Sequence, residues 1–508
     1  MDAWIEERDG RSVAEIFRGS GERAFRRRER DAIAEIASDP RPSVVATGGG
    51  AILDPANVRA MRGSGRVIWM RTSAKALSKR LAGDVSRPLL ETAATPRERE
   101  SRLGSILKMR EARYRDAAHV ILDTDRLTTP QASARLALEG RASRTTAAVP
   151  VRTPDGRYDV HVGVGLLDRA GAIVHAACGG SKAFVVTDTT VAKLHGDRLA
   201  QSLRAAGYAV EMLALLPGER HKTLAAVQRV WRWLFAHGLD RRSPVVCLGG
   251  GVVGDLAGFA AATALRGVPV VQIPTTLVAQ VDSSVGGKTG FDVPEGKNLV
   301  GAFHSPSAVV ADVDLLGTLP ARELAAGMGE VVKYGVIADA ALFGRLERAG
   351  AAILSDRVAL AAVVRRCVEL KASVVARDPH EKGIRAILNF GHTVGHALEA
   401  ASGFRMLHGE AVAAGMAVEA SFALRRRACA AGERARIVAL LEALSLPVSV
   451  AVDAKGGAGT GARAAKFIRS DKKRVGGSVR MPILRRIGRV ELEQVPVEDL
   501  EAFLQHER

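Results

Sequence analysis

Short continuous apolar runs, bounded by glycine, proline or polar residues, recur along this chain: "SVVATGGGAIL" (43–53), "RVIWMRT" (66–72), "AFVVTDTTV" (183–191), "VVCLGGG" (245–251) and "PVVQIP" (269–274). Runs of that length predict buried strands. Stretches with helical spacing separate them, and strands alternating with helices predict an α/β fold with a parallel or mixed sheet and crossover helices. From about Leu319 helical spacing dominates until "VRMPILRRIGRVELEQV" (479–495). Between 137 and 158 the pattern gives way to Ser, Thr, Pro and Gly, which reads as a linker. The expected divisions are a first module over 1–140, a linker over 141–152, an α/β nucleotide-binding domain over 153–318 and a mainly helical domain over 319–508. The cleft between the last two is the expected ligand site.

Composition narrows the choices. The 508 residues are 47% hydrophobic, enough for several cores, and only 4% aromatic. The net charge of +18 is mostly dispersed arginine, with short runs at Arg26 to Arg28, Arg425 to Arg427 and Lys472 to Arg474. Without interleaved aromatics or a zinc-finger or RNA-binding signature, this favours anionic small substrates over nucleic acid. The four cysteines stand alone, with no paired spacing, and no long apolar run or charged-then-apolar leader is present. These features lead us to expect a cytoplasmic protein with no membrane partner.

Candidate chemistry is concentrated in a few stretches. "CLGGGVVGDLAGF" places glycines between a strand and a helix, where bare amides approach a pyrophosphate; Gly250, Gly251 and Asp255 are the candidates. "PTTL" and "LPGERHKT" add hydroxyls, a carboxylate and Lys222. "VDSSVGGKTG" resembles a P-loop but has Asp282 where that motif needs glycine. Lys288 and Lys297, with Asn298 beside the second, instead read as point charges for an anion, against the commoner fate of solvated surface lysines. Glu330 and Lys333 are three apart on one helix face, ordinarily a surface ion pair. "NFGHTVGHALEAASGFRMLHGEAV" (389–412) brings together three histidines and two glutamates. His392 and His396, four apart, can share a helix face and converge on one metal, or can be ordinary members of an amphipathic helix. Gly403 predicts a break before His408.

In their order, GGGVVGDLAGF, RG, PTTL, VDSSVGGK, GKN, TLPARE, GEVVK, LNFGHTVGHALE and LHGE make residues 150–508 similar to the 3-dehydroquinate synthase family. The resemblance implies a Rossmann-like domain followed by a helical metal-binding domain, and a cyclase of the shikimate pathway that uses NAD and Zn2+ (or Co2+). It further implies a homodimer acting on an anionic sugar phosphate. The implied metal ligands are Glu330, His392 and His408, which moves His396 from the metal, where spacing alone nominates it, to a proton-carrying role. Nucleotide contacts fall on Asp188, Gly218, Glu219, Lys222, Gly250, Gly251, Asp255, Thr275, Thr276, Asp282, Lys288, Lys297 and Thr318. Substrate and catalytic roles fall on Lys288, Lys297, Asn298, Lys333, Lys371, Glu381, Arg385, Asn389 and His396. Arg266 would come from the partner subunit, and Lys472 or Lys473 would close over the substrate. Thr190 and Pro379 depart from the family pattern, which commonly has Asn and Glu there. The alternatives are another sugar-phosphate cyclase, a metal-dependent polyol dehydrogenase of the same fold, or a non-catalytic scaffold.

The first 140 residues resemble shikimate kinase, a P-loop enzyme, through "VVATGGGAIL", "SRPLLE" and "MREARYRD". Asp2, Arg26, Gly49 and Arg110 would hold shikimate, and Arg87 would be the lid arginine. The Walker A loop would precede Asp2, so the module as written is expected to lack kinase activity; a start further upstream would instead give a bifunctional kinase and synthase.

Overall fold

Ser12 and Thr95 each open a helix by a reciprocal exchange: the hydroxyl accepts the amide three residues on, and the glutamate there accepts the capping residue's amide. These caps start the two long helices of the first of two units, Met1–Arg141 and Ala142–Arg508. The computed structural model describes residues 1–39, 43–81, 95–118, 120–125, 127–129, 131–133, 136, 148–154, 156–403, 405–449, 467, 474–475 and 477–506. The first unit contains α1 (Asp2–Asp9), α2 (Val13–Ser38), α3 (Pro55–Ser64), α4 (Ala74–Arg80) and α5 (Pro96–Ala117). Two parallel strands, β1 (Ile68–Arg71) and β2 (Val120–Asp123), accompany them. Ile5, Ile16, Phe25 and Ala32 form a small core.

Two strand expectations need correction here. Residues 43–48 form no strand, and Val44 is fully exposed, because among the described residues no neighbouring strand completes their backbone hydrogen bonds. The run "RVIWMRT" does yield β1. However, β1 pairs only with β2 among the described residues, so Ile68 and Met70 are exposed rather than buried.

The second unit is built on a seven-stranded sheet in the order β3 (Val149–Thr153), β4 (Gly156–Gly163), β11 (Ala308–Asp312), β8 (Val270–Pro274), β7 (Val245–Gly249), β5 (Lys182–Asp188), β6 (Ala209–Leu215). All neighbours are parallel except β3 with β4. β7, β8 and β11 are buried at every position, which is why their sequences are continuous apolar runs and not alternating ones. From β5 the chain crosses outward to β6, and from β7 it crosses the other way to β8. The carboxyl ends of β5 and β7 therefore form a switch point, where a crevice opens.

Around this sheet lie an antiparallel hairpin, β9 (Lys288–Val293) and β10 (Gly296–Phe303), and the helix that follows β7, α6 (Gly251–Thr263). The carboxyl half supplies α7 (Ala321–Ala338), α8 (Arg357–Arg377), α9 (His392–Ala401) and α10 (His408–Arg425). It also supplies an antiparallel sheet of β12 (Arg474–Val475), β13 (Ser478–Arg486) and β14 (Arg489–Pro496). Val331, Val364, Val368, Phe390, Val412 and Met416 knit these helices into one core. Among the described residues no helix is long and apolar enough to cross a membrane.

Candidate active site

Glycines set how closely α7, α9 and α10 approach. A Cβ on Gly415 would overlap the Gly391 carbonyl, one on Gly409 the Ala326 carbonyl, and one on Gly329 the Gly409 carbonyl. Backbone therefore packs on backbone beside Glu330 (α7), His392 (first residue of α9) and His408 (first residue of α10). The glycines among the histidines, Gly391 and Gly395, are packing residues against α10. His392 Nε2 and His408 Nε2 lie 3.3 and 3.2 Å from Glu330 Oε1, and Lys333 Nζ lies 2.5 Å from Oε2. Glu330 and Lys333 are wholly buried, so the pair is not the surface ion pair that spacing alone suggests.

Both Glu330 carboxylate oxygens are buried, and none of these close approaches has hydrogen-bond geometry. Burial pushes the Glu330 carboxyl up, but Lys333 and His392 outweigh it and hold it well below its ordinary range. The far ring nitrogens are already committed: His392 Nδ1 sits 3.2 Å from the Phe390 carbonyl oxygen, and His408 Nδ1 sits 3.2 Å from Glu399 Oε2. Burial pulls the His408 imidazole down, yet its contacts with Glu330 and Glu399 carry it up to about 10. One carboxylate and two imidazoles, each imidazole oriented through its other nitrogen and all within 4.8 Å, fit a divalent cation with a position left for substrate. His396 is exposed and does not join that triplet. Its ring lies 5.3 Å from that of His392, and it groups with Glu399 and His408.

Buried cations surround this cluster. Lys371 Nζ donates to Asp282 Oδ1 at 2.7 Å and to the Asp282 carbonyl at 2.5 Å, and Tyr334 donates to the same carboxylate at 3.1 Å. Burial pulls Lys371 down from 10.5 to about 8 against the pull of Asp282. Arg385, 2% exposed, donates to the Pro379 carbonyl at 2.6 Å, and a Cβ on Gly286 would fall 2.6 Å from its guanidinium. Lys288 is half exposed and paired with Glu381, which also accepts from Asn389 Nδ2 at 3.2 Å. Lys297 Nζ lies 3.5 Å from Glu399 and 3.9 Å from Glu219.

At the switch point, α6 starts at Gly251 with no side-chain cap, so its first amides have no side-chain partner there. A Cβ on Gly250 would meet Thr276 at 3.1 Å, and Thr275 donates its amide to the Gly249 carbonyl. Lys222 is buried and bridges Asp255 (2.6 Å) and Asn298 (2.5 Å), tying the turn after Gly218 to the β9–β10 hairpin. Asp188 caps the short helix after β5 through the amides of Thr190 and Val191. Thr318 donates to the Leu315 carbonyl and lies 2.9 Å from His195 Nε2. Arg266 is exposed on a turn where both it and Leu265 have positive φ (66° and 51°). Lys472 and Lys473 lie outside the described residues.

In the first unit, Arg110 and Tyr114 donate to the Gly49 carbonyl at 3.3 and 2.6 Å. Arg26 pairs with buried Glu29 at 2.8 Å and packs on Gly50. Arg26, Gly49 and Arg110 thus converge on one glycine loop, while Asp2 is exposed on α1 and Arg87 lies outside the described residues.

Comparison with known proteins places this geometry in a family. Residues 212–326 match the family description "3-dehydroquinate synthase N-terminal" and 327–474 match "3-dehydroquinate synthase C-terminal". A 3-dehydroquinate synthase of Symbiobacterium thermophilum is 49% identical over 339 residues, 66% of this chain and 93% of that protein. One from Caulobacter vibrioides is 47% identical over 344 residues, 67% of this chain and 93% of its own length. The chain belongs to the 3-dehydroquinate synthase family. Among solved structures, the 2-epi-5-epi-valiolone synthase of Streptomyces hygroscopicus, determined with NAD+ and Zn2+ bound, superposes with TM-score 0.62 at 32% identity, covering 68% of this chain and 95% of that one. A 2-deoxy-scyllo-inosose synthase shares the fold with TM-score 0.64 at 25% identity, covering 71% of this chain and all of that one. Residues 1–139 match the shikimate kinase family.

Three residues around this cluster were not evident from the sequence. Glu399, drawn up by burial but down to about 2 by His408 and Lys297, orients His408. Tyr334 holds Asp282, and Glu419 caps α9. The i,i+3 spacing of Glu399 from His396 was a usable signal; Tyr334 and Glu419 carry none, because their partners are distant in sequence.

Proposed function

We propose that this chain converts a 3-deoxy-heptulosonate 7-phosphate to 3-dehydroquinate and inorganic phosphate in the shikimate pathway. The observation that carries the reading is the buried Glu330 carboxylate, with neither oxygen in a hydrogen bond, Oε1 facing both His392 and His408, and Oε2 facing Lys333. Glu330, His392 and His408 would hold a divalent cation, zinc or cobalt. Gly250, Gly251, Asp255, Lys222, Thr275, Thr276, Asp188 and Thr318 would hold NAD in the crevice. When bound, the cation polarises a substrate hydroxyl and the nicotinamide accepts and returns a hydride, so the overall reaction has no net redox change.

The chain's own residues do the rest. Lys371 and Arg385 are buried cations in position to bind carboxylate or phosphate oxygens, which favours a substrate with both groups. Lys288, Lys297, Asn298 and Asn389 fix the remaining oxygens, and the pairing of Lys288 with Glu381 is exchanged for one with substrate. His396, exposed beside the cation triplet, is placed to carry a proton between substrate and water. Lys333 keeps Glu330 ionised and therefore able to bind a cation. The enzyme works as a homodimer in this reading, with Arg266 on its strained, exposed turn reaching the partner's site; sedimentation of a monomer at assay concentration would remove that element. A cytoplasmic location accords with its four free cysteines.

The test is phosphate release from the heptulosonate phosphate with substoichiometric NAD, before and after chelation. Release that continues past the NAD supplied, stops on chelation and returns with zinc supports the reading. Conversion of the supplied NAD to reduced nicotinamide, with turnover ceasing once it is consumed, would instead identify a dehydrogenase.

A further inference from the structure

Helix α9 has no side-chain cap at its own N-terminus: Gly391, at φ +79°, precedes His392 and provides none. Two amides at this end find their partner on the neighbouring helix. Glu419 on α10, 1% exposed, accepts the Gly391 amide on Oε2 at 2.8 Å and the Val394 amide on Oε1 at 3.2 Å. These two amides flank His392 in the chain, so their carboxylate partner fixes the roll of the turn from which the imidazole projects. Glu419 lies about three turns along the helix that His408 begins. One buried carboxylate thus joins the backbone of one candidate ligand to the helix of another.

The surroundings leave this link no slack. A Cβ on Gly391 would sit 2.6 Å from Met416 Cγ and 2.7 Å from the Val412 carbonyl, and one on Gly395 2.9 Å from the Ala411 carbonyl. Packing sets the separation of the two helices, while sliding or rolling of α9 is resisted by the two hydrogen bonds to Glu419.

We propose that Glu419 is a positioning residue for the divalent-cation site, acting through His392. The inference rests on reading Glu330, His392 and His408 as that site. A cap that served only to stabilise the fold would change the melting temperature and leave the cation affinity of the folded protein untouched.

In Glu419→Gln the volume is kept, but an NH2 group now faces one of the two amides. Zinc affinity, titrated against a chromophoric chelator, should weaken by about 10–100-fold, with NAD affinity at its native value. Exchange of the Gly391 and Val394 amides should accelerate. Glu419→Asp keeps the carboxyl group and withdraws it by one methylene, and should fall between Gln and native; it also serves if the Gln variant does not fold. Native zinc affinity in a folded Glu419→Gln or Glu419→Asp protein would overturn the proposal. So would an unprotected Gly391 amide in the native protein, a measurement that needs no variant. Should the native chain itself bind no divalent cation, the reading of the site fails instead, and the two failures are distinguishable.

Discussion

Glu330 shows how much depends on single atoms. A buried carboxylate with neither oxygen in a hydrogen bond is costly, and two imidazoles and an ammonium aimed at it supply a reason for its persistence. Changing His392 to Ala removes one of three donors. The expected outcome is a folded chain whose zinc affinity falls by more than the roughly 10–100-fold that loss of a supporting residue costs, with activity lost in parallel; zinc content after dialysis checks it. Lys371 gives a pH prediction. Its burial places the folded-state pKa at about 8, so the cation is complete below that pH and lost above it. If Lys371 binds substrate oxygens, kcat/KM should decline as pH rises through about 8. An alkaline limb appearing only near the ordinary lysine value would contradict that role. His392 and Lys371 stood out in the sequence. That Glu330 sits against two histidines could not be read from spacing, because 62 residues separate it from the nearer one.

Helices α7, α9 and α10 bring these residues together only because glycines remove the side chains between their backbones. Gly415→Ala would press a methyl group into the Gly391 carbonyl, and should destabilise the protein by about 1–3 kcal/mol in urea unfolding while also loosening the cation site. Gly432→Ala is the control: nothing lies within 4 Å of its added Cβ, so stability should stay level or rise slightly. Element type was readable where burial is complete on both faces, as in β7, β8 and β11, since a continuous apolar run allows little else. Residues 43–48 show the limit of that rule. They carry an apolar run, Val44 to Ala46, but a strand also needs a partner to accept its backbone hydrogen bonds, and apolar composition does not report partners.

For the whole molecule, the Ala142–Arg508 unit holds its own sheet, its own cores and the whole cluster of Glu330, His392 and His408. A fragment covering 142–508 should fold cooperatively and release phosphate at the rate of the full chain; failure of the fragment to fold would show that the first unit is required. Chelation should lower the melting temperature of the full chain, since a cation held at 100 times its Kd adds about 2.7 kcal/mol. An unchanged melting curve would argue against tight occupancy. What the sequence by itself determined was the alternation of strands and helices, the glycine turn after β7 and the family motifs, because each is encoded by neighbours a few positions apart. Only the tertiary structure decided that Glu330 and Lys333 are buried, that Glu399 meets the far nitrogen of His408, and that Glu419 caps the helix carrying His392. Those outcomes depend on interhelical distances, set by the packing of helices far apart in the chain.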